Sequence, residues 1–293
     1  MSETKIPDRF EFLSGRDDNG HKNTFGTATI IAGSEYMTGA AVLAADSALR
    51  SGCGLVRVFS DEKTLDAVRY NLPCALLMPR DGSETETVRQ MFAVAETKGA
   101  VLIGPGMPPD DPYLKIILAF ALENIDNLVL DAGALTLMAK DKTYYYGLLK
   151  ARKNPAILTP HVGEFARLSG LDMGSLGEEE TAKAVSEFAI SNKCIVIFKN
   201  SNPRVATFEG SNYYSGGDFA NSGLAKGGAG DVLAGLVTGL LAQFADKPAE
   251  VSAAAVRIHS LAGKLAADEY GEYPMIPSDI ADFFPEAFRQ VMS

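Results

Sequence analysis

Six short apolar runs recur along the chain, at residues 27–33, 55–59, 100–104, 128–131, 156–159 and 194–198, and stretches with helical spacing separate them. The runs are continuous rather than alternating, so each strand hides both faces, which calls for a mainly parallel sheet covered by helices on both sides. Residues 40–50 form an Ala-rich helix with Thr38 as its N-cap, ended by Gly52 and Gly54, so the first strand–helix–strand unit is a βαβ crossover. Ser83-Glu84-Thr85-Glu86 has the form of a capping box for a helix that runs to about Lys98. After Phe198 the rhythm changes to a hairpin, residues 204–208 turning through Glu209-Gly210-Ser211-Asn212 into Tyr213-Tyr214. An apolar helix from Val232, a second over 249–270 and a short acidic one near 279–291 close the chain. No linker, low-complexity tract or repeat interrupts the pattern, so residues 1–293 read as one α/β domain.

Charge and cysteine usage narrow the partners. The chain carries 27 basic against 37 acidic residues, a net charge of −10, with no basic run. That argues against nucleic acid and anionic membranes, and any anionic substrate must be held by local groups. Cys53, Cys74 and Cys194 are odd in number and lack metal-ligand spacing, so they read as buried small apolar residues in a reducing compartment. The charged first twelve residues do not read as a signal peptide, and no run approaches the ~20 apolar residues of a membrane span. A cytoplasmic protein is expected.

The stretch richest in chemistry is Asn221-Ser222-Gly223-Leu224-Ala225-Lys226-Gly227-Gly228-Ala229-Gly230-Asp231, which opens an apolar helix. Glycines at a helix mouth leave backbone N–H groups free and let an anion come close, so Gly228, Ala229 and Gly230 form a candidate anion hole. Asp231, in the first turn, either takes a proton from a hydroxyl brought up to the phosphate or serves as an N-terminal charge. A Walker A loop is excluded because neither Lys226 nor Lys264 precedes Ser or Thr. A dinucleotide fingerprint fails because Leu233 stands where the third glycine belongs.

In a parallel sheet ligands lie beyond the carboxyl ends of the strands. Gly33-Ser34, Gly104-Pro105-Gly106, Asp131-Ala132-Gly133, Thr159-Pro160-His161 and Lys199-Asn200 all follow an apolar run directly, which points to one shared site. His161 follows a strand and is a site candidate. Glu164 caps the next helix, meets a metal through water or faces solvent. Lys199 either neutralises phosphate or is a solvated lysine, and Asp131 either supports the site or caps a strand end. His21 and His259 carry no motif of their own, and Tyr144-Tyr145-Tyr146 fit a helix face packed on the sheet.

The glycine run followed by Val232-Leu233-Ala234-Gly235 resembles the anion-hole signature of the ribokinase-like superfamily, and in detail that of the NAD(P)H-hydrate dehydratases. Other blocks are similar to that family in order and spacing: Gly33-Ser34 with Thr38-Gly39-Ala40-Ala41, Arg50-Ser51-Gly52-Cys53-Gly54-Leu55-Val56, Gly104-Pro105-Gly106, Asp131-Ala132 with Ala134-Leu135, Thr159-Pro160-His161 with Gly163-Glu164-Phe165, and residues 259–263. Together they span most of the chain. The resemblance implies a ribokinase-like fold and repair of NADH or NADPH hydrated on the nicotinamide ring, driven by ADP in most bacteria and archaea and by ATP in eukaryotes. It places the S-form hydrate near Ala40, Gly104, Gly106 and His161 with Asp231 at the reactive hydroxyl. It places the nucleotide at Lys199, Asn200, Ser201, Asn202, Pro203 and Gly230. Mg²⁺, a homotetramer and a functional partnership with a separate NAD(P)H-hydrate epimerase are implied in the same way. The implied chemistry phosphorylates the ring hydroxyl and then eliminates phosphate.

Two positions depart from the family pattern. Lys199-Asn200-Ser201-Asn202-Pro203 stands where K-G-x-x-T is usual, and Lys226 replaces a Thr, which the chemistry tolerates as an extra cation beside the loop. The rival reading within the superfamily is a small-molecule kinase of the hydroxymethylpyrimidine or hydroxyethylthiazole type, which stops after the first step. A rival outside enzymes is a silent nucleotide-binding protein, against which the intact Gly228 to Asp231 run stands.

Overall fold

Alternation inside the apolar strands decides which helix each residue meets. In the computed structural model, which describes residues 3–80, 82–217 and 219–292, the chain runs β1 (Thr4–Lys5), β2 (Thr27–Ile31), α1 (Thr38–Arg50), β3 (Leu55–Ser60), α2 (Glu62–Asn71), β4 (Leu76–Pro79), α3 (Glu84–Ala95), β5 (Gly99–Ile103), α4 (Pro112–Asn124) and β6 (Leu128–Leu130). It continues through α5 (Ala132–Lys140), α6 (Lys142–Ala151), β7 (Ile157–Leu158), α7 (Val162–Ser169), α8 (Glu178–Asn192), β8 (Ile195–Phe198), the hairpin β9 (Arg204–Ala206) and β10 (Asn212–Tyr214), and then α9 (Ala229–Gln243), α10 (Pro248–Tyr270), α11 (Pro277–Asp282) and α12 (Phe284–Val291). The sheet order is β1-β10-β9-β8-β7-β6-β5-β2-β3-β4. Neighbours from β4 to β8 are parallel, whereas β9 runs antiparallel to both β8 and β10.

Successive residues point to opposite faces. Ile30, Val58, Leu102, Val129 and Ile195 belong to the core under α1, α9 and α10, and Ile31, Phe59, Ile103, Leu130 and Val196 to the core under α4, α5, α7 and α8. The expected α/β fold with helices on both faces is what forms, and the expected hairpin after Phe198 is present.

Several boundaries differ from expectation. Thr38 lies inside α1, whose N-cap is Met37. α2 and β4 occupy a region the sequence patterning leaves unassigned, because β4 is a short, half-exposed edge strand closed by Pro79. The acidic C-terminal helix is two helices, broken at Phe283 where Pro285 begins a new first turn. Cys53 and Cys194 are buried as expected, but Cys74, in the exposed connection before β4, is not.

The feature that positions the site is the fit of α9 against α1. Helix α9 is buried almost throughout, and Gly235 and Gly239 on it let the backbone of α1 come into direct contact. A Cβ on Gly235 would overlap the carbonyl oxygen of Ala44, and one on Gly239 would overlap Ser51. The Ser47 hydroxyl donates to the carbonyl of Val232 at 2.5 Å and fixes the two helices in register. Ala40, in the first turn of α1, and Asp231, in the first turn of α9, are thereby brought to the same end of the sheet.

This packing predicts opposite outcomes for two similar changes. Gly235→Ala forces the helices apart and lowers unfolding stability by about 2 kcal/mol, read from urea denaturation. Gly147→Ala, at an α6 position with open space around it, raises stability by about 0.5 kcal/mol.

Candidate active site

The carboxyl ends of β2, β5, β6, β7 and β8 converge, and the ends of β2 and β5 carry glycines shaped for close approach. At the end of β2, Gly33 donates its N–H to the carbonyl of Pro105 at 2.7 Å, joining the β2 and β5 loops. Gly106 has φ +65°, and a Cβ there would press on the Ala40 side chain at 2.7 Å and the carbonyl of Met37 at 2.8 Å. Gly104, at φ +122°, leaves no room for a Cβ beside the carbonyl of Asp131. Ala40, Gly104 and Gly106 therefore form one continuous wall that leads to Asp131.

Asp131 is 1% exposed and accepts a hydrogen bond from Lys199 Nζ at 2.8 Å. Lys199 directly follows β8, donating its N–H to the carbonyl of Pro160 at 2.9 Å and pairing with His161 in an isolated parallel bridge. Its ammonium lies over the start of α9, where a Cβ on Gly230 would stand 3.1 Å from it. Burial works against that charge, but Asp131, Glu164 and Asp231 outweigh it and hold the Lys199 pKa above its ordinary value. Lys199 is thus an anchored cation, and the solvated-lysine reading is set aside.

The mouth of α9 keeps its amides open. Gly228 takes φ +106°, Ala229 N–H bonds the carbonyl of Lys226 and Val232 N–H bonds that of Gly228. Among the described residues the N–H groups of Gly230 and Asp231 have no acceptor, as expected for a first turn. Asp231 is mostly buried. Burial first, then the charge of Asp131, with a smaller push from Glu164 and a counter-pull from Lys199, raises its pKa from 3.8 to about 7. A carboxylate tuned to that range accepts a proton at neutral pH, which an ordinary N-terminal charge does poorly.

His161 and Glu164 form a reciprocal cap on α7. His161 Nδ1 accepts from the N–H groups of Gly163 at 3.0 Å and Glu164 at 3.4 Å, and Glu164 Oε2 accepts from the N–H of His161 at 2.8 Å. Because Nδ1 is an acceptor, the proton of neutral His161 sits on Nε2, which lies 3.5 Å from Glu164 Oε1. Glu164, 6% exposed, does not face solvent.

The 199–203 segment is an Asx turn rather than a glycine turn. Asn200 Oδ1 accepts from the N–H of Asn202 at 3.0 Å, and Asn202 is bound in turn to Glu178, Ser215 and Gly216. The side chains of Asn200 and Asn202 hold the loop, which leaves Ser201 exposed and the backbone up to Pro203 as the surface a ligand would meet.

Two residues behave differently from expectation. Lys226 does not reach the anion hole; its ammonium donates to the carbonyls of Glu272, Tyr273 and Met275 and straps the 272–275 segment beside the loop. His259, to which no role was assigned, lies buried under the site with Nε2 3.0 Å from the carbonyl of Ala229. Burial pushes its pKa down to about 4, so it is neutral, and its Nε2–H donates to that carbonyl and props the first residue of α9. Its block in the sequence resemblance was the one available signal.

Comparison with known proteins bears on this geometry. A family model described as NAD(P)H-hydrate dehydratase matches residues 28–286. The ADP-dependent (S)-NAD(P)H-hydrate dehydratase of Bacillus subtilis (strain 168) is 32% identical over 278 residues, covering 95% of this chain and 94% of that protein. A bifunctional NAD(P)H-hydrate repair enzyme of Moorella thermoacetica is 29% identical over 287 residues, which is 95% of this chain and 52% of that protein. A crystal structure of ADP/ATP-dependent NAD(P)H-hydrate dehydratase from Bacillus subtilis, co-crystallized with ATP/Mg²⁺, aligns with a TM-score of 0.79 at 28% identity over 94% of each chain.

The raised pKa of Asp231 has a cost in stability that can be measured. Its pKa is higher folded than unfolded, so folding favours the protonated form, and stability falls as pH rises from about 4 to about 7. Asp231→Asn removes the buried charge and is therefore more stable than wild type by about 2 to 4 kcal/mol near pH 8, with the gain vanishing near pH 4. Denaturant unfolding at the two pH values checks it.

Proposed function

The chain belongs to the NAD(P)H-hydrate dehydratase family, and from that membership we propose that its strand-end site returns the S-form of hydrated NADH or NADPH to the reduced cofactor, with ADP as phosphoryl donor. The observation that supports the reading best is the arrangement at the mouth of α9: a carboxylate with a pKa near 7, two open amides and an anchored ammonium around one spot.

In this reading the hydrated ring lies against Ala40, Gly104 and Gly106, with His161 Nε2–H facing it and its hydroxyl beside Asp231. Asp231 takes the hydroxyl proton as the oxygen attacks the terminal phosphoryl group of the nucleotide. The N–H groups of Gly230 and Asp231 and the ammonium of Lys199 meet the charge on the transferring group, with Gly228 and Ala229 shaping the anion hole. The P–O bond to the nucleotide breaks and leaves AMP when ADP is the donor. In the second step the ring C–O bond breaks, inorganic phosphate departs with the former hydroxyl oxygen, and loss of a ring proton restores the double bond. The backbone of Asn200, Ser201, Asn202 and Pro203 is the proposed bed for the rest of the nucleotide.

Among the described residues no three His, Cys, Asp or Glu side chains are grouped to hold a metal. The donor set does fit Mg²⁺ that arrives on the nucleotide, since that ion keeps water and phosphate oxygens and needs only one or two carboxylates. Glu164 is the residue that would meet it, through water, because Oε2 is already engaged. Mg²⁺ would neutralise phosphate charge.

No described helix is long and apolar enough to cross a membrane. A cytoplasmic tetramer working on the cell's NADH and NADPH pool is part of the proposal, as is a functional partnership with an NAD(P)H-hydrate epimerase, which the bifunctional name of the Moorella relative supports.

Incubation of the protein with hydrated NADH, Mg²⁺ and ADP or ATP, followed at the absorbance of the reduced nicotinamide, tests the reading. NADH reappears and inorganic phosphate accumulates; a stable phosphorylated hydrate with no NADH would instead mark a kinase. Asp231→Asn lowers kcat by about 10² to 10⁴-fold. In the wild type, kcat/KM falls about tenfold per unit as pH drops below about 7, because the protonated carboxyl cannot act as base.

A further inference from the structure

Asp131 occupies the N-cap of α5, where an aspartate usually accepts an amide from the helix's own first turn. It makes no such bond, and its buried carboxylate is directed at Lys199. The backbone around it is arranged to permit this. Ala132, the next residue, takes φ +47°, a left-handed conformation that strains a non-glycine residue. Gly104 gives up its side-chain space so that the Asp131 carbonyl can sit against it. A residue that forgoes its local cap at a strained position inside a site is serving the site.

We propose that Asp131 is a positioning residue for phosphoryl transfer, holding the Lys199 ammonium at the mouth of α9 and away from the Asp231 carboxylate until the transferring phosphoryl group draws on that charge. The inference rests on the phosphoryl-transfer reading given above. Four charged groups meet here: Asp131 from the end of β6, Lys199 from β8, Glu164 from α7 and Asp231 from α9. His259, from α10 below, is neutral and adds no charge. Lys199 is the cation among them, and Glu164 is occupied by the cap of α7. Without Asp131, Lys199 is left to the carboxylates of Glu164 and Asp231, and an ion pair with Asp231 would quench the base and withdraw the ammonium from the phosphate. Asp131 thus keeps the two functions, proton acceptance and charge neutralisation, on separate groups.

The test compares wild type with Asp131→Asn, Asp131→Glu and Lys199→Gln. The titration of Asp231 is followed by carbon-13 NMR in the free proteins, and turnover of hydrated NADH with Mg²⁺ and ADP is measured across pH. In Asp131→Asn the Asp231 midpoint falls by about one unit or more, because a negative neighbour is lost and Lys199 moves onto it. Its kcat drops about tenfold to a hundredfold, while the nucleotide KM stays within about threefold. Asp131→Glu recovers part of kcat, and Lys199→Gln moves the midpoint upward. Midpoints unmoved in both charge-removing variants, or moved in the same direction, overturn the proposal, and so does a wild-type kcat in Asp131→Asn. If Asp131→Asn does not fold, Lys199→Gln decides alone, and a midpoint that fails to rise overturns it. The titrations need no substrate, so they judge the role of Asp131 even if the wild type fails to turn over the hydrate, a result that would count against the reaction and not against the ion pair.

Discussion

Helix α9 is buried along nearly its whole length, and its N-terminus therefore delivers unpaired amides and a carboxylate to a place that solvent reaches poorly. Everything else in the site follows from where that helix end sits. Gly235 and Gly239 bring α9 within backbone contact of α1, and the hydroxyl of Ser47 sets their register. The parallel strands then supply the opposite wall, because all their carboxyl ends face the same edge. Had the helices packed at an ordinary side-chain separation, the first turns of α1 and α9, with Ala40 and Asp231, would stand farther apart.

Burial by itself would make Asp231 a poor anion, and Asp131 and Glu164 make it poorer. Lys199 offsets part of that cost, and Asp131 keeps Lys199 from offsetting all of it. The outcome is a carboxylate that changes protonation near neutrality, where a base for an alcohol is most useful. His259 and the cap formed by His161 and Glu164 contribute in another way, by fixing backbone: one props the first residue of α9 and the other orients the start of α7. Neither needs to carry charge for this.

Much of this was legible in the residues. Continuous apolar runs required a two-sided sheet, and the glycines before Asp231 required an open helix mouth, because each pattern has few physical alternatives. The residues at strand ends converge as their positions implied. What stayed hidden was pairwise. Nothing in the spacing shows that Asp131 and Lys199, 68 positions apart, share a proton donor and acceptor, or that Ala132 is strained. Lys226 looked like a cation for phosphate because it borders the loop, but a long side chain reaches several partners and here it finds three carbonyls. The edge strand β4 escaped notice because half-exposed strands need little apolar sequence.

The central claim is that the free protein holds Asp231 as a base poised near neutrality. Carbon-13 labelling of aspartate, with the Asp231 resonance assigned by its absence from the Asn variant, measures that directly in wild-type protein without nucleotide. The account expects a titration midpoint near 7. A midpoint in the ordinary aspartate range, about 4, would contradict it and leave the carboxylate as no more than a helix-end charge.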